Sequence, residues 1–290
     1  MSLNLVYYKS EPNVGDALNP WLWPKLLDGF VDDDPEHAFM GIGTILVDGY
    51  PPRAKRITVF GSGARSWIRL PDLSGPEWDF RFVRGPRTAR LTGAKFISDP
   101  AVLLPSLLPA SRDRKGIGFV PHFKTHPDTV AEAARRLNAR IISPRLDVEP
   151  FVEALTGCEA VVCEAMHGAI IADAYRIPWA GVRLEVSYRD GQGNVFKWRD
   201  WSESLGITDR FARLPVICQA PFALRRRFMK SDWRLLDNLI FDLSPEGAVE
   251  RAQDRIMDEV HALSRGAVRR AQPRGFRRRS LQLAELSRAR

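Results

Sequence analysis

Between Gly116 and Arg183 the chain alternates short apolar runs with helix-length amphipathic segments: GIGFVPH, DTVAEAARRLN, ARIIS, DVEPFVEALTG, EAVVC, MHGAIIADAYR and WAGVR. This pattern constrains the fold more than any other feature. Strands separated by helices of this length pair in parallel, because parallel neighbours need a crossover connection, and the helices then cover both faces of the sheet. The punctuation agrees: Asp128 and Asp147 are placed as helix N-caps, Gly157 ends the second helix, and Pro178 closes the third two residues after Arg176. This half is expected to be a doubly wound α/β unit.

The first 110 residues carry the same elements less regularly. Asn4 to Tyr8, Phe39 to Leu46, Arg56 to Phe60 and Phe80 to Val83 read as strands, with helical stretches after Pro20 and after Pro86. A stretch rich in proline and charge near residues 105 to 115 separates the halves. The expected organisation is an N-terminal Rossmann-like domain over 1–110 and a second over 111–219, then packing helices over 220–261 and a basic tail over 262–290. No internal repeat is visible in the sequence.

Charge is informative through its position. The 43 Lys and Arg against 35 Asp and Glu leave +8, and residues 262 to 290, with nine arginines and the single acid Glu285, carry all of it. The body is neutral, so a specific nucleic-acid partner is not expected. The tail, where arginines interleave with Phe276, Leu281, Leu283 and Leu286, reads either as an anionic-membrane contact or as a solvated end. No apolar run of spanning length and no signal-peptide plan stands out, which points to the cytoplasm. Cys158, Cys163 and Cys218 fit neither a disulfide framework nor a zinc site.

Ligands of open parallel sheets bind beyond the carboxyl ends of the strands. Gly15 and Asp16 follow the first strand, where Asp16 reads as a helix cap or as a catalytic acid or base. Gly61, Ser62 and Gly63 follow another and offer backbone amides to an anion. Arg84 stands before Pro86, which starts a helix, and is placed to grip a phosphate or carboxylate; Arg87 reads as a surface salt bridge. In the second half His122 and Lys124 follow one strand, and Glu164, His167 and Gly168 follow another. Two histidines at neighbouring strand ends point to a site in a cleft. No spacing resembles a metal-binding helix, so no metal and no cofactor are expected.

Taken in order, GDALNPWL (15–22), GIGTIL (41–46), VFGSG (59–63), VRGPRTA (83–89), SDPA (98–101), VPH (120–122), EAMHGAIIADAYRIPW (164–179) and KWRDW (197–201) resemble the polysaccharide pyruvyl transferase family, within it the succinoglycan-type ketal-pyruvyltransferases. The resemblance spans about residues 5 to 205. It implies a GT-B-like fold, two Rossmann-like domains facing across a cleft with C-terminal helices. It also implies a phosphoenolpyruvate donor, a pyruvate ketal product on a lipid-linked oligosaccharide, and released phosphate. The family's broader pattern has an arginine two positions before the histidine; here that position is Ala165, so His122, Lys124 or Arg183 would have to replace it.

On this resemblance His167 is expected to protonate the donor methylene, Asp16 or Glu164 to act as base, and Arg84 to hold the donor. Trp198 and Trp201 read either as a stacking surface for the acceptor sugar or as a hydrophobic cap. The rival function is a GT-B glycosyltransferase using a sugar nucleotide, which the same architecture would serve. A binding protein without catalysis is the third reading, and intact His167, Arg84, Gly15 and Asp16 argue against it.

Overall fold

A computed structural model describes residues 2–27, 29–50, 53–65, 69–184, 191–207 and 233–271, with the side chains of 191–194, 235 and 266–271 left aside. The chain forms two parallel sheets with helices between the strands. The first contains β1 (Ser2–Val6), β2 (Val31–Asp32), β3 (His37–Met40), β4 (Arg56–Phe60) and β5 (Glu77–Phe82), in the order β2-β1-β3-β4-β5. The second contains β6 (Ile117–Val120), β7 (Ala139–Ile141), β8 (Ala160–Cys163) and β9 (Trp179–Gly181), in the order β7-β6-β8-β9. Every strand pair in both sheets is parallel.

The helices are α1 (Val14–Leu26) and α2 (Pro86–Thr92) in the first half, and α3 (Pro127–Leu137), α4 (Val148–Thr156) and α5 (Met166–Ala174) in the second. After them come α6 (Gly191–Ser204) and α7 (Ala248–Ala271). Central strands are buried on both faces, as at Ile57 to Phe60 and Val161 to Cys163, which explains their unbroken apolar sequence. In α4, Val148, Phe151, Val152 and Leu155 form the apolar stripe that helical periodicity requires for packing on a sheet.

Both sheets place their third strand on the far side of the first, so each has a switch point, between β1 and β3 and between β6 and β8. The halves therefore share a strand order that their sequences conceal. They are held together by one core. A 3-10 helix, Pro100–Ser106, buries Ala101 to Leu104 in a cluster that also holds Leu18 and Trp23 of α1, Ile170 of α5, Trp201 of α6 and Ile256 of α7. Directly between the halves, the Val14 amide donates to the Pro144 carbonyl (2.7 Å) and the Trp21 indole N–H to Glu149 (3.1 Å).

Several local expectations are corrected. Asp128 is not the cap of α3; His126 is, with Pro127 opening the helix and the ring Nδ1 of His126 accepting from the Asp128 amide (3.2 Å). Asp147 is the N-cap residue of α4 as expected, although its side chain makes no capping bond. The third strand stops at Met40, because Gly41 and Gly43, the latter at φ 135°, turn the chain into a loop. The first helix starts at Val14 and carries Pro20 inside it. Pro20 has no N–H for the Asp16 carbonyl, and the Asn19 side-chain amide supplies the missing donor at 3.2 Å. The expected helical start near Ala220, Cys218 and the tail beyond Ala271 lie outside the described residues.

Candidate functional site

The carboxyl ends of the two switch points open into one cleft of about 410 Å³. From the first half it takes Tyr8, Asn13 to Asp16, Gly43 to Ile45, Tyr50 and Arg65; from the second it takes His122 to Lys124 and Ala165 to His167, with Lys197 of α6 on its rim. Ligand crevices of open α/β sheets form at such switch points, and here two face each other.

His167 is the second residue of α5, at the end of β8. Its ring lies against Gly15 so closely that a methyl group there would overlap the imidazole, so Gly15 makes the contact between the halves possible. The ring is 16% exposed, while Nε2 is buried with no hydrogen-bond partner and lies 3.8 Å from Asp99 Oδ2. Burial first, then the charges of Lys197 and Arg84, pull its pKa down to about 3. The imidazole is therefore neutral near pH 7.

Asp16 is the third residue of α1 and does not cap it. Asn13 does, its Oδ1 accepting from the Asp16 amide (3.2 Å) while its Nδ2 donates to Asp16 Oδ2 (2.6 Å). The Asp16 carboxyl is thus held at the cleft wall, and burial raises its pKa to about 6 against the opposing pull of Asn13 and Lys197. A buried carboxyl and a buried imidazole on opposite walls are driven toward their uncharged forms.

Other expected site residues have structural duties. Both oxygens of Glu164 are engaged: Oε2 accepts from the His122 amide (2.9 Å) and Thr125 Oγ1 (2.7 Å), and Oε1 from the Leu184 amide (3.0 Å). Glu164 pins the loops after β6 and β9 and does not line the cleft, which corrects its expected part as a base. Arg84 is wholly buried behind the wall, bonded to Asp200 (3.2 Å) and to Thr44 Oγ1 (2.9 Å). Asp200 in turn accepts from the Thr88 amide (2.8 Å) and hydroxyl (2.7 Å), so Arg84 ties α6 to α2, while its Nη2 is buried without a hydrogen-bond partner. Arg87 pairs with Glu203, as a surface arginine should.

The Gly61, Ser62 and Gly63 turn does not line the cleft, and both of its glycine amides are taken within the protein. The amide of Gly61 donates to Phe82 (2.9 Å) and that of Gly63 to Gly43 (2.9 Å), while Ser62 Oγ donates to the Met40 carbonyl (3.0 Å). Gly63 leaves room for the Arg84 guanidinium. Gly168 faces Val120 and Cys163 on the sheet, and its amide donates to Ala165 (3.1 Å), so it serves packing and not ligand approach. Trp198 and Trp201, 2% and 0% exposed, pack with Trp179 at ring separations of 6.2 and 5.3 Å. Neither presents a face to a sugar. His122 and Lys124 line the cleft, His122 stacking on Phe123 at 4.5 Å.

Sequence reasoning passed over Asp99, Lys197, Arg65, Tyr8 and Tyr50. Asp99 sits in the SDPA segment and caps the 3-10 helix, Oδ1 accepting from the Ala101 amide at 3.0 Å. Lys197 is the one lysine in the tryptophan-rich stretch, where an aliphatic stem can follow an apolar face while its ammonium reaches a polar cleft. Lys124, Lys197 and Arg65 set three cationic side chains against Asp16 around the cleft, a balance that favours a small anion. Among the described residues no group of three or more His, Cys, Asp or Glu is arranged to hold a metal.

A family model described as polysaccharide pyruvyl transferase matches residues 55–185. A curated relative, "Succinoglycan biosynthesis protein ExoV" of Rhizobium meliloti (strain 1021), is 38% identical over 237 residues, covering 79% of this chain and 73% of its own length. The chain belongs to the polysaccharide pyruvyl transferase family. No solved structure matches. The family match runs from just before β4 to just past β9 and so includes Asp99, His122, Lys124 and His167; Asp16 and Lys197 fall outside it.

Proposed function

We propose that the protein transfers the pyruvyl group of phosphoenolpyruvate to two hydroxyls of one sugar in a polysaccharide repeat unit, forming a ketal and releasing phosphate. Family membership supports pyruvyl transfer to a polysaccharide. The observation that carries the mechanism is the pairing, in one cleft, of a carboxyl pushed up to about 6 with an imidazole pulled down to about 3. Two titratable groups driven apart in this way assign themselves as acid and base.

In this reading Asp16 is the acid, acting through the minor fraction that a pKa raised to about 6 keeps protonated near pH 7. Its proton goes to the donor's methylene carbon while the first sugar hydroxyl bonds to C2 and passes its proton to neutral His167. The product of that step is a tetrahedral carbon bearing methyl, carboxylate, phosphate and sugar oxygen. The second hydroxyl then bonds to the same carbon, the bond to the phosphate oxygen breaks, and the hydroxyl proton leaves with phosphate. This reverses the expected assignment of His167 as acid, for the physical reason that burial empties its ring nitrogen of the proton it would have to give.

The donor's charge calls for converging cations, and with Arg84 committed to Asp200 we assign that work to Lys124, Lys197 and Arg65, with His122 beside them. Lys197 and Lys124 replace the arginine the family carries where this chain has Ala165. Tyr8 and Tyr50 take the acceptor-facing part expected of the tryptophans, since aromatic faces complement sugar rings. The matching switch points support a GT-B-like pairing of the two halves. The acceptor is read as a lipid-linked oligosaccharide, with the basic end over 262–290 meeting anionic lipid, where each basic residue contributes about 1 kcal/mol. No helix among the described residues is long and apolar enough to cross a membrane.

The test is incubation with phosphoenolpyruvate and an oligosaccharide acceptor. The expected result is inorganic phosphate together with a sugar heavier by one pyruvic acid less one water. Transfer of a sugar from a nucleotide, with phosphoenolpyruvate untouched, overturns the reading in favour of a glycosyltransferase.

A further inference from the structure

Two buried polar atoms in the core beside the cleft have no partner and face each other: Nε2 of His167 and Oδ2 of Asp99, 3.8 Å apart. Leaving either unsatisfied costs about 1 to 3 kcal/mol, and a small turn of the ring would bring the pair to hydrogen-bond length. The other carboxylate oxygen is fixed, since Asp99 Oδ1 accepts from the Ala101 amide at the start of the 3-10 helix. The carboxylate can offer only Oδ2 to the imidazole. We propose that Asp99 is the positioning residue of His167: it accepts the Nε2–H and so leaves Nδ1, beside Gly15 at the cleft wall, as the bare nitrogen that takes the proton of the sugar hydroxyl.

The rate consequence rests on the pyruvyl-transfer reading; the tautomer does not. A neutral imidazole carries one N–H, and the partner of that N–H decides which nitrogen is free. Once Nδ1 has taken the hydroxyl proton, Asp99 faces an imidazolium and steadies it, as a buried carboxylate does behind other catalytic histidines. Among the described residues no acceptor stands within hydrogen-bond distance of Nε2. His167 faces the cations Lys197 of α6 and Arg84 at the end of β5, while Asp99 faces Arg84, Asp200 of α6 and Asp16 of α1. Burial favours the neutral form of each, Asp99 rising to about 6, so near pH 7 the aspartate is mainly ionised and ready to accept.

The experiment is a long-range proton–nitrogen NMR spectrum of the full chain with labelled histidine, the His167 signals assigned by their loss in His167→Gln. The expected spectrum shows protonated Nε2 and bare Nδ1. In Asp99→Asn the Ala101 amide keeps the oxygen of the new side chain and turns its NH₂ toward Nε2, so the tautomer should flip. With phosphoenolpyruvate and acceptor, kcat should then fall by about 10⁴-fold with KM changed little, the signature of a wrong tautomer in an intact site. A wild-type His167 protonated at Nδ1, or an Asn variant with the wild-type tautomer and kcat, overturns the proposal. Should the wild type fail to turn over phosphoenolpyruvate, the tautomer in the unmodified chain still decides the Asp99 assignment. It also decides it if the Asn variant does not fold.

Discussion

The two halves repeat one strand order and differ in what they set at its switch point. Past β1 and β3 the first half delivers Asp16 and, from the segment that pairs Phe96 with Val83, Asp99. Past β6 and β8 the second half delivers His122, Lys124 and His167. The same backbone crevice is thus used twice, once for carboxyls and once for imidazole and ammonium groups. Facing the two across a cleft brings together a carboxyl and an imidazole, the pair proposed as acid and base, that neither sheet carries alone. The contact between Gly15 and His167 is where this dependence is tightest.

The largest effect should come from removing the second half's contribution while leaving its frame in place. His167→Ala is expected to lower kcat for pyruvyl transfer by about 10⁴-fold, the top of the range for a general base and no less than the loss of its positioning partner. Circular dichroism should show the fold retained. Glu164→Gln should separate frame from chemistry: it keeps most of the hydrogen bonds to His122, Thr125 and Leu184, and kcat should fall less than tenfold. A Glu164→Gln loss as deep as that of His167→Ala would return Glu164 to the chemistry and break the division of labour drawn here.

The outcome at Glu164 shows where sequence runs out. An acid immediately after a strand reads the same whether it faces a ligand or three protein donors, since only the positions of Thr125 and Leu184 in space distinguish the two. Gly168 posed the same ambiguity, and the side it turns to Val120 was invisible in MHG. By contrast the second half's elements were legible almost residue by residue. Strands buried on both faces are continuous apolar runs, and α4 ends at Gly157 as read, although α5 ends at Ala174, earlier than Pro178 suggested. The first half was harder for stated reasons. Asn19 rescues a proline within α1, glycines cut the third strand short, and β2, the two exposed residues Val31 and Asp32, is too short to show any periodicity. Asp99 was legible as part of SDPA but not as a partner of His167, because 68 positions separate them in the chain.

The shared order of the two halves predicts that the joint itself can be disturbed without touching a titratable group. Gly15→Ala would push a methyl group into the His167 ring. Because that ring is backed by the core around Asp99 and not by solvent, it has little room to yield, and overpacking of this kind costs about 1 to 3 kcal/mol. The midpoint of chemical denaturation should fall accordingly, and kcat should drop with it. A Gly15→Ala protein with wild-type stability and rate would mean that the halves meet less closely than drawn, whereas Gly49→Ala, at a glycine with open space around it, carries only the backbone penalty of its φ of 73°.

The smallest effect is the one that reads the two halves against each other by pH. Asp16 has a folded pKa raised to about 6, so its ionised form is disfavoured in the fold. Its contribution to stability grows as pH falls from about 6 toward the unfolded value of 3.8 and is lost again on returning to neutrality. His167 behaves oppositely. With a folded pKa near 3 against an unfolded 6.5, the unfolded chain takes up a proton first, and stability is lost as pH falls through that interval. At about 1.4 kcal/mol per unit, the aspartate term is on the order of 2 to 3 kcal/mol and the histidine term is larger. Between pH 6 and 4 the wild-type slope therefore sets the loss at His167 against the gains at Asp16 and at Asp99, whose pKa is also raised to about 6. Asp16→Asn should make the loss on acidification steeper, and His167→Gln should make it shallower, each measured as the denaturant midpoint against pH relative to wild type. If both substitutions moved the slope in one direction, the carboxyl and the imidazole would not be oppositely poised, and the acid and base roles assigned across the cleft would have to be abandoned.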